Sequence, residues 1–226
     1  MTSVIPPPRT DTPLLHLQRV TRIEDGERLH ALLWSAGPGW TMISSAVLGG
    51  GIGERNWVLN AQVAHGYRHT DPDRHLAALA EEAGASPRGA GVALMTAADV
   101  CAHGRAGDGG VEAVATAGVS VRGWAAACAE PVPFEAGTIN VIAALPVPLT
   151  DAALVNAVAT ATEAKVQALV EAGYDCSGTP TDAICIAART PRPGEDIHSF
   201  AGPRSLWGAR LARAVHRAVG DSLPAR

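Results

Sequence analysis

The sequence has 226 residues, of which 47% are hydrophobic, 4% aromatic and 18% charged. A chain of this length buries enough surface to fold without disulfides or metals. Because aromatic residues are so few, Ala, Val, Leu and Ile must build the core. Eighteen Lys and Arg residues oppose 22 Asp and Glu residues, for a formal net charge of -4, and no basic block is present. This balance argues against a nucleic-acid partner.

The amino terminus and the cysteines indicate where the protein works. Residues 2–13 contain four prolines and few apolar side chains, which is typical of a mobile arm. We therefore expect an arm over residues 1–13 and a single domain over residues 14–226. The four cysteines form no C-x-x-C pair, residues 1–14 show no charged-then-apolar leader pattern, and no apolar run is long enough to span a membrane. A soluble, cytoplasmic protein is expected, and a homo-oligomer is left open.

The first half of the chain contains mainly predicted strands. Short apolar runs over residues 14–48 are separated by charges or by G-P-G, a pattern that predicts consecutive strands of a meander. Residues 71–84 begin with acidic residues and Pro and end with Gly, which predicts a short helix. Three further apolar runs predict strands, at residues 91–97, 111–121 and 137–145.

The second half contains the longest periodic element. Thr150 or Asp151 can cap a helix of about six turns that stops at Gly173. A strand over residues 181–188 and a closing helix over residues 206–219 follow. Because strands cluster instead of alternating with helices, we expect an α+β domain with a mixed, mainly antiparallel sheet or sheets carrying packed helices. The pattern does not tell whether there is one sheet or two.

The long helix carries an unexpected cation. At about 100° per residue its apolar face includes Leu154 and Val155, and Thr162 and Lys165 point inward with them, whereas Glu163 lies on the outer face. The Lys165 stem can pack along the core while the ammonium reaches water or a structural carboxylate. Alternatively, a charge held on a rigid helix can polarise a substrate carbonyl or bind a carboxylate or amide.

A polar loop precedes the strand at residues 181–188. Gly178 permits close backbone approach, and the hydroxyls of Thr179 and Thr181 are potential donors or nucleophiles. Asp182 can act as a base, accept from an amide or pair with Lys165. The alternative is an ordinary turn in which Asp and Thr side chains bind their own backbone amides.

Two glycine motifs and three histidines are weaker candidates. A-T-A-G-V, which contains Gly118, and G-T-I-N place a hydroxyl or amide beside a glycine at a strand end, where a ligand could approach the backbone or the glycine could simply form a bulge. His65, His69 and His75 are close in sequence, but the segment between them is loop-like and lacks a third ligand at metal-binding spacing. We expect no protein-bound metal.

Several of these segments, in one order, resemble the adenosylcobinamide amidohydrolase family of corrinoid-salvage enzymes. The matching pieces are S-S-A-V-L-G-G-G, M-T-A-A-D-V, A-T-A-G-V-S, A-G-T-I-N-V-I, T-E-A-K, S-G-T-P-T-D-A-I and A-G-P-R-S-L-W-G-A-R-L-A-R-A-V. They span about residues 40–219. T-E-A-K followed by G-T-x-T-D-A-I at this distance is the most specific combination.

The resemblance implies hydrolysis of the amide that joins aminopropanol to the corrin propionate in adenosylcobinamide, giving adenosylcobyric acid. The partner would be the corrinoid, which carries its own cobalt, so no cofactor bound by the protein is implied. The family's polar motifs fall on Asn60, Thr116, Asn140, Thr162, Glu163, Lys165, Thr179, Thr181 and Asp182.

From this resemblance we hypothesise specific roles. Lys165 would stabilise the oxyanion, Asp182 would act as general base on water or on the Thr181 hydroxyl, and Asn140 would orient the amide with the backbone at residues 178–179. The remaining substrate-binding candidates are Asn60, Thr116, Gly118, Thr162 and Glu163. A non-catalytic corrinoid-binding protein and a Thr-nucleophile amidase or acyl transferase are the alternatives.

Overall fold

The computed structural model describes residues 13–86, 90–127 and 137–224. Residues 1–12, most of the expected arm, lie outside this part, so the arm and the domain boundary stay predictions. The elements are β1 (Leu17–Glu24), β2 (Glu27–Trp34), β3 (Trp40–Ser44), β4 (Gly51–Glu54), β5 (Trp57–Gln62), α1 (Pro72–Glu82), β6 (Gly91–Thr96), β7 (Gly104–Asp108), β8 (Val111–Ala117), β9 (Ile139–Leu145), α2 (Asp151–Glu171), β10 (Ala183–Arg189) and α3 (Leu206–Ser222).

The strands form two sheets. The first has the order β1-β2-β5-β6 and the second the order β4-β3-β10-β9-β8-β7. Among the strands of the described residues, only the pairs β5–β6 and β9–β10 are parallel; the other pairs are antiparallel. The prediction of an α+β domain with mixed, mainly antiparallel sheets is confirmed.

The sheets and helices stack in four layers. One hydrophobic cluster fills the space between the sheets, with Trp34 and Leu94 from the first and Trp40 and Ile142 from the second. A second cluster packs α1 on the outer face of the first sheet. A third packs α2 and α3 on the outer face of the second sheet. Because side chains alternate along a strand, Asn140 on β9 points toward the first sheet with Ile142.

The long helix is confirmed, with a side-chain cap. The Thr150 side chain accepts from the backbone N–H of Ala153 at 3.2 Å, and the chain reverses after the helix at Gly173, where φ is +80°. The helix at 71–84 is also confirmed, as α1. No helix within the described ranges is long and apolar enough to cross a membrane.

The strand predictions were incomplete. The meander expectation holds for β1 and β2, which pair as a hairpin, but β3 leaves for the second sheet after glycines at 37 and 39 with positive φ. Three strands were missed. β4 and β7 are short and partly exposed, with little apolar patterning, and β5 is buried at nearly every position and so lacks the alternation that marks a one-sided strand.

Candidate functional site

The topology brings α2 and the polar loop after it against one end of the second sheet. The Lys165 ammonium donates to Oδ2 of Asp182, and Lys165 is only 5% exposed. The cation predicted to lie inside is therefore inside. Its partner is the carboxylate of Asp182, and pairing with Lys165 was one of the roles that the sequence left open for this residue.

The Asp182 carboxylate is fully engaged. Oδ1 accepts from the backbone N–H of Ile139 at 2.8 Å and from the Thr179 hydroxyl at 2.5 Å. Oδ2 accepts from the backbone N–H of Thr179 at 3.2 Å as well as from Lys165. A carboxylate offers about four lone-pair directions, so all of them are used. The loop therefore forms the turn that was one of the two alternatives from the sequence, in which the Asp side chain binds a nearby backbone amide. The same hydrogen bonds fix the Asp182 carboxylate at the entrance to β10.

Gly178 makes room for this ion pair. A Cβ at residue 178 would lie 2.3 Å from Oδ2 of Asp182 and 2.5 Å from Nζ of Lys165. The backbone φ of Gly178 is +153°, a value that residues with an L side chain rarely adopt. The close approach predicted from the sequence at this glycine is therefore an approach of its backbone to both members of the pair.

Two threonine hydroxyls meet beside the carboxylate. Thr181 Oγ1 lies 2.6 Å from Thr138 Oγ1 and donates to the carbonyl oxygen of Gly137 at 2.9 Å. Because a hydroxyl has one hydrogen, Thr138 must donate to Thr181. Thr138 was not among the candidate site residues, although its motif G-T-I-N was. Only the pairing of β9 with β10 brings it to Thr181.

These groups face a cavity of about 550 Å³. Thr138, Thr181 and Asp182 form its polar side, and apolar side chains such as Leu94 form most of the rest. Ser45, a second residue that sequence reasoning missed, also lines it, although the matching segment S-S-A-V-L contained it. Lys165 is not part of the wall, and it contacts the wall through Asp182.

A second hollow of about 820 Å³ adjoins the first, and Ala97 contributes to both. Gly118, a predicted binding residue, lines this second hollow, together with the cation Arg122. One large ligand could therefore place one part in the 550 Å³ cavity and another part in the adjoining 820 Å³ hollow.

Three of the predicted residues form a buried polar network between the sheets. The Asn60 amide donates to the Thr116 hydroxyl at 3.0 Å, and the Asn140 amide donates to the Asn60 side-chain oxygen at 2.8 Å and to the Met95 carbonyl at 3.0 Å. The Asn140 side-chain oxygen has no partner within the described part of the chain. None of the three lines either hollow, so their roles toward substrate stay predictions.

Two predicted residues lie on the solvent side of α2. Glu163 is exposed, as expected, but the inward placement of Thr162 was wrong, because it is exposed and its hydroxyl donates to the Val158 carbonyl. Val155 is likewise 58% exposed and not part of the apolar face. The helix packs through small residues, namely Ala157, Ala161, Ala164 and Ala168. The prediction gave more weight to the larger valines than to the alanines. The predicted apolar face of α2 was therefore rotated about the helix axis relative to the observed one.

Comparisons with known proteins identify relatives of this chain in sequence and in fold. The model of the adenosylcobinamide amidohydrolase family matches residues 15–226. A protein of that name from Methanosarcina mazei is 31% identical over 189 residues, covering 80% of this chain and 90% of the relative. One from Halobacterium salinarum is 40% identical over 91 residues, covering 40% of this chain and 37% of that relative.

The fold is also similar to that of a solved structure. The crystal structure of the PH0078 protein from Pyrococcus horikoshii superposes with a TM-score of 0.51 and 14% identity, covering 94% of this chain and 85% of that one. At this identity the likeness concerns the fold alone. The family match, in contrast, extends over nearly the whole sequence, and the chain therefore belongs to the adenosylcobinamide amidohydrolase family.

Proposed function

We propose that this chain hydrolyses the amide joining aminopropanol to the corrin propionate in adenosylcobinamide, releasing adenosylcobyric acid for cobalamin salvage in the cytoplasm. The oxygen of water bonds to the carbonyl carbon, the C–N bond breaks, and the amine leaves with a proton. The cobalt travels with the substrate. Family membership supports the choice of bond and substrate.

The observation that carries the proposal is the position of Asp182 on the cavity wall. Amide hydrolysis needs a group that accepts a proton from the attacking nucleophile and a charge that stabilises the oxyanion. Asp182 faces the cavity beside the Thr138–Thr181 hydroxyl pair, and the Lys165 ammonium is bound to it.

The contacts of Asp182 suggest how it would act. Three of its four hydrogen bonds come from two backbone amides and a buried ammonium, which cannot move away easily. The fourth comes from the Thr179 hydroxyl, which can rotate about χ1 and free a lone pair on Oδ1. Asp182 would then take the proton of water, or that of a threonine hydroxyl. Because Lys165 lies behind Asp182 and outside the cavity wall, its positive charge would act on the oxyanion at a distance and not by direct contact.

The two adjoining hollows suit a substrate with a narrow arm and a broad ring. We place the aminopropanol arm and its amide in the 550 Å³ cavity, against Asp182, and part of the corrin ring in the 820 Å³ hollow lined by Gly118. The network of Asn60, Thr116 and Asn140 would support the wall between the sheets without touching the reacting atoms.

The experiment is incubation with adenosylcobinamide, followed by chromatography of the corrinoid and an assay for free aminopropanol. The wild type and Val155→Ala, which changes only the exposed face of α2, should release both products, and Asp182→Asn should not. A change in the corrinoid spectrum without aminopropanol release would instead indicate a binding protein. A covalent acyl adduct on Thr138 or Thr181, detected by mass spectrometry after a quench, would indicate a threonine nucleophile.

A further inference from the structure

A second cluster of reactive side chains lies at the rim of the 550 Å³ cavity. Glu24 ends β1, His75 lies in the first turn of α1, and His69 lies in the loop before that helix. Oε1 of Glu24 is 3.3 Å from Nε2 of His75 and 3.9 Å from Nε2 of His69. One ligand atom from each residue lies within 4.8 Å of the other two.

We propose that Glu24, His69 and His75 bind a divalent transition-metal ion of the zinc type, and that its fourth coordination position opens toward the substrate cavity. Two imidazoles and one carboxylate form a ligand set that such ions accept. Tetrahedral bonds of about 2.0–2.1 Å place ligand atoms about 3.3–3.4 Å apart. The distance from Glu24 to His75 matches this at 3.3 Å, and the distance to His69 is longer, at 3.9 Å.

The groups behind these ligands are arranged as a metal site requires. Nδ1 of His75 lies 3.1 Å from the Tyr67 hydroxyl, and if it donates its hydrogen there, Nε2 keeps its lone pair for the ion. Arg22 donates to Oε2 of Glu24 from Nε at 2.8 Å and from Nη2 at 2.5 Å, so Oε1 is left for the ion. The Arg22 side chain is only 7% exposed, which makes this arrangement part of the fold.

One ring must move for all three ligands to converge. The His69 and His75 rings are stacked, with centroids 4.2 Å apart and an angle of 13° between their planes, so their nitrogen lone pairs lie in two nearly parallel planes and do not meet at one point. The His69 side chain is 49% exposed and is held by ring stacking on Tyr67 and His75. His75 is 13% exposed and also lies within hydrogen-bond distance of the Tyr67 hydroxyl, so His69 is the ring that can tilt. Binding an ion would therefore order His69.

The open position follows from the cavity wall. Tyr67 and His69 both line the 550 Å³ cavity, so an ion held at their side of the cluster would present its vacant position to an oxygen atom of a ligand there. The spacing of the histidines in the sequence did not predict this metal site, because its carboxylate ligand, Glu24, lies on β1, 45 residues before His69. This proposal replaces the expectation that the chain holds no metal.

The test is binding of Zn²⁺ and Co²⁺ to the purified full-length protein after treatment with chelator. Equilibrium dialysis should give one ion per chain, and Co²⁺ should show visible absorption bands typical of four-coordinate nitrogen and oxygen ligands. His75→Ala and Glu24→Gln should each weaken binding by more than about 100-fold, since even the contacts behind a ligand are worth 10–100-fold. Tyr67→Phe should weaken it about 10-fold.

His65→Ala is the matched control, because His65 is an exposed histidine of the same segment outside the cluster, and it should bind like the wild type. If His75→Ala does not fold, His69→Ala tests the same claim at a half-exposed position. Binding below one ion per chain, or binding that survives these substitutions, would overturn the proposal. Neither result bears on aminopropanol release, so the proposed function is tested separately.

Discussion

The Lys165 ammonium on α2 is bound to the Asp182 carboxylate at the entrance to β10, 17 residues later in the chain. The side chains are 7% and 12% exposed. Lys165 is also the sole lysine of the sequence. Because both charges have left water, each depends on the other, and removal of either one leaves an uncompensated charge.

Thermodynamic coupling between the two residues follows directly. Lys165→Met and Asp182→Asn should each lower the free energy of unfolding by about 3–5 kcal/mol, the usual cost of breaking a buried pair. The double variant should be more stable than the sum of the two losses predicts, because it leaves no unpaired charge. Urea unfolding of the four proteins measures the coupling energy, and strictly additive losses would contradict the pairing.

Turnover should depend on Lys165 more than binding does. If its charge is needed mainly in the transition state, Lys165→Ala should lower kcat by about 10²–10³-fold and leave the corrinoid dissociation constant within a few fold. Val155→Ala, at a position of α2 that is 58% exposed, is the control for substitution in this helix. Steady-state kinetics and corrinoid titration separate the two effects, and equal losses of both would make Lys165 a binding residue.

The reactivity of this single lysine reports its burial. An amine-specific acylating reagent should leave Lys165 unmodified in the folded wild type, so that the chain is labelled only at its amino terminus. Gly178→Ala should expose it, because the added Cβ would overlap both partners of the ion pair. Mass spectrometry after limited labelling gives the extent of modification at each site.

Gly194→Ala is the matched control for that substitution. Gly194 also has a positive φ, of +79°, but a Cβ there would meet nothing within 4 Å. It therefore carries the backbone cost of replacing such a glycine without the clash. Equal labelling of Lys165 in the two variants would show that the ion pair does not depend on the space at Gly178.

The sequence was informative where one segment decides the outcome. The cap at Thr150, the reversal at Gly173 and the inward direction of Lys165 are local consequences of helix geometry, and all three are observed. The direction of Thr162 was wrong because alanines form the packed face of α2. An alanine stripe contributes little to an apolar pattern but allows the closest approach to the sheet.

Features that join distant segments could not be predicted. Thr138 meets Thr181 only because β9 and β10 are parallel neighbours, and period-two patterns do not say which strands pair. The assignment of β2 and β3 to different sheets has the same origin. Glu24 joins the two histidines only because the end of β1 lies beside the start of α1.

The attachment of α3 to the edge of the second sheet should depend on pH. Asp108 on β7 accepts from Arg213 at 2.9 and 2.8 Å and from Arg217 at 3.2 Å. The hydrogen bond from Arg213 is the main cause that holds the pKa of Asp108 below its usual value. Because the folded pKa lies below the unfolded one, the contact stabilises the fold above the unfolded pKa of about 3.9, and the gain is lost as pH falls through the folded pKa.

Asp108→Asn should therefore be less stable than the wild type at pH 7, and the two should converge as the solution is acidified below about pH 4. Both arginines are about half exposed, so the difference at pH 7 should be no more than about 1 kcal/mol. Asp196→Asn, at an exposed position, is the control and should not change the acid limb. Urea unfolding at several pH values measures the difference, and a gap between wild type and Asp108→Asn that persists at low pH would show that Asp108 acts through packing instead of charge.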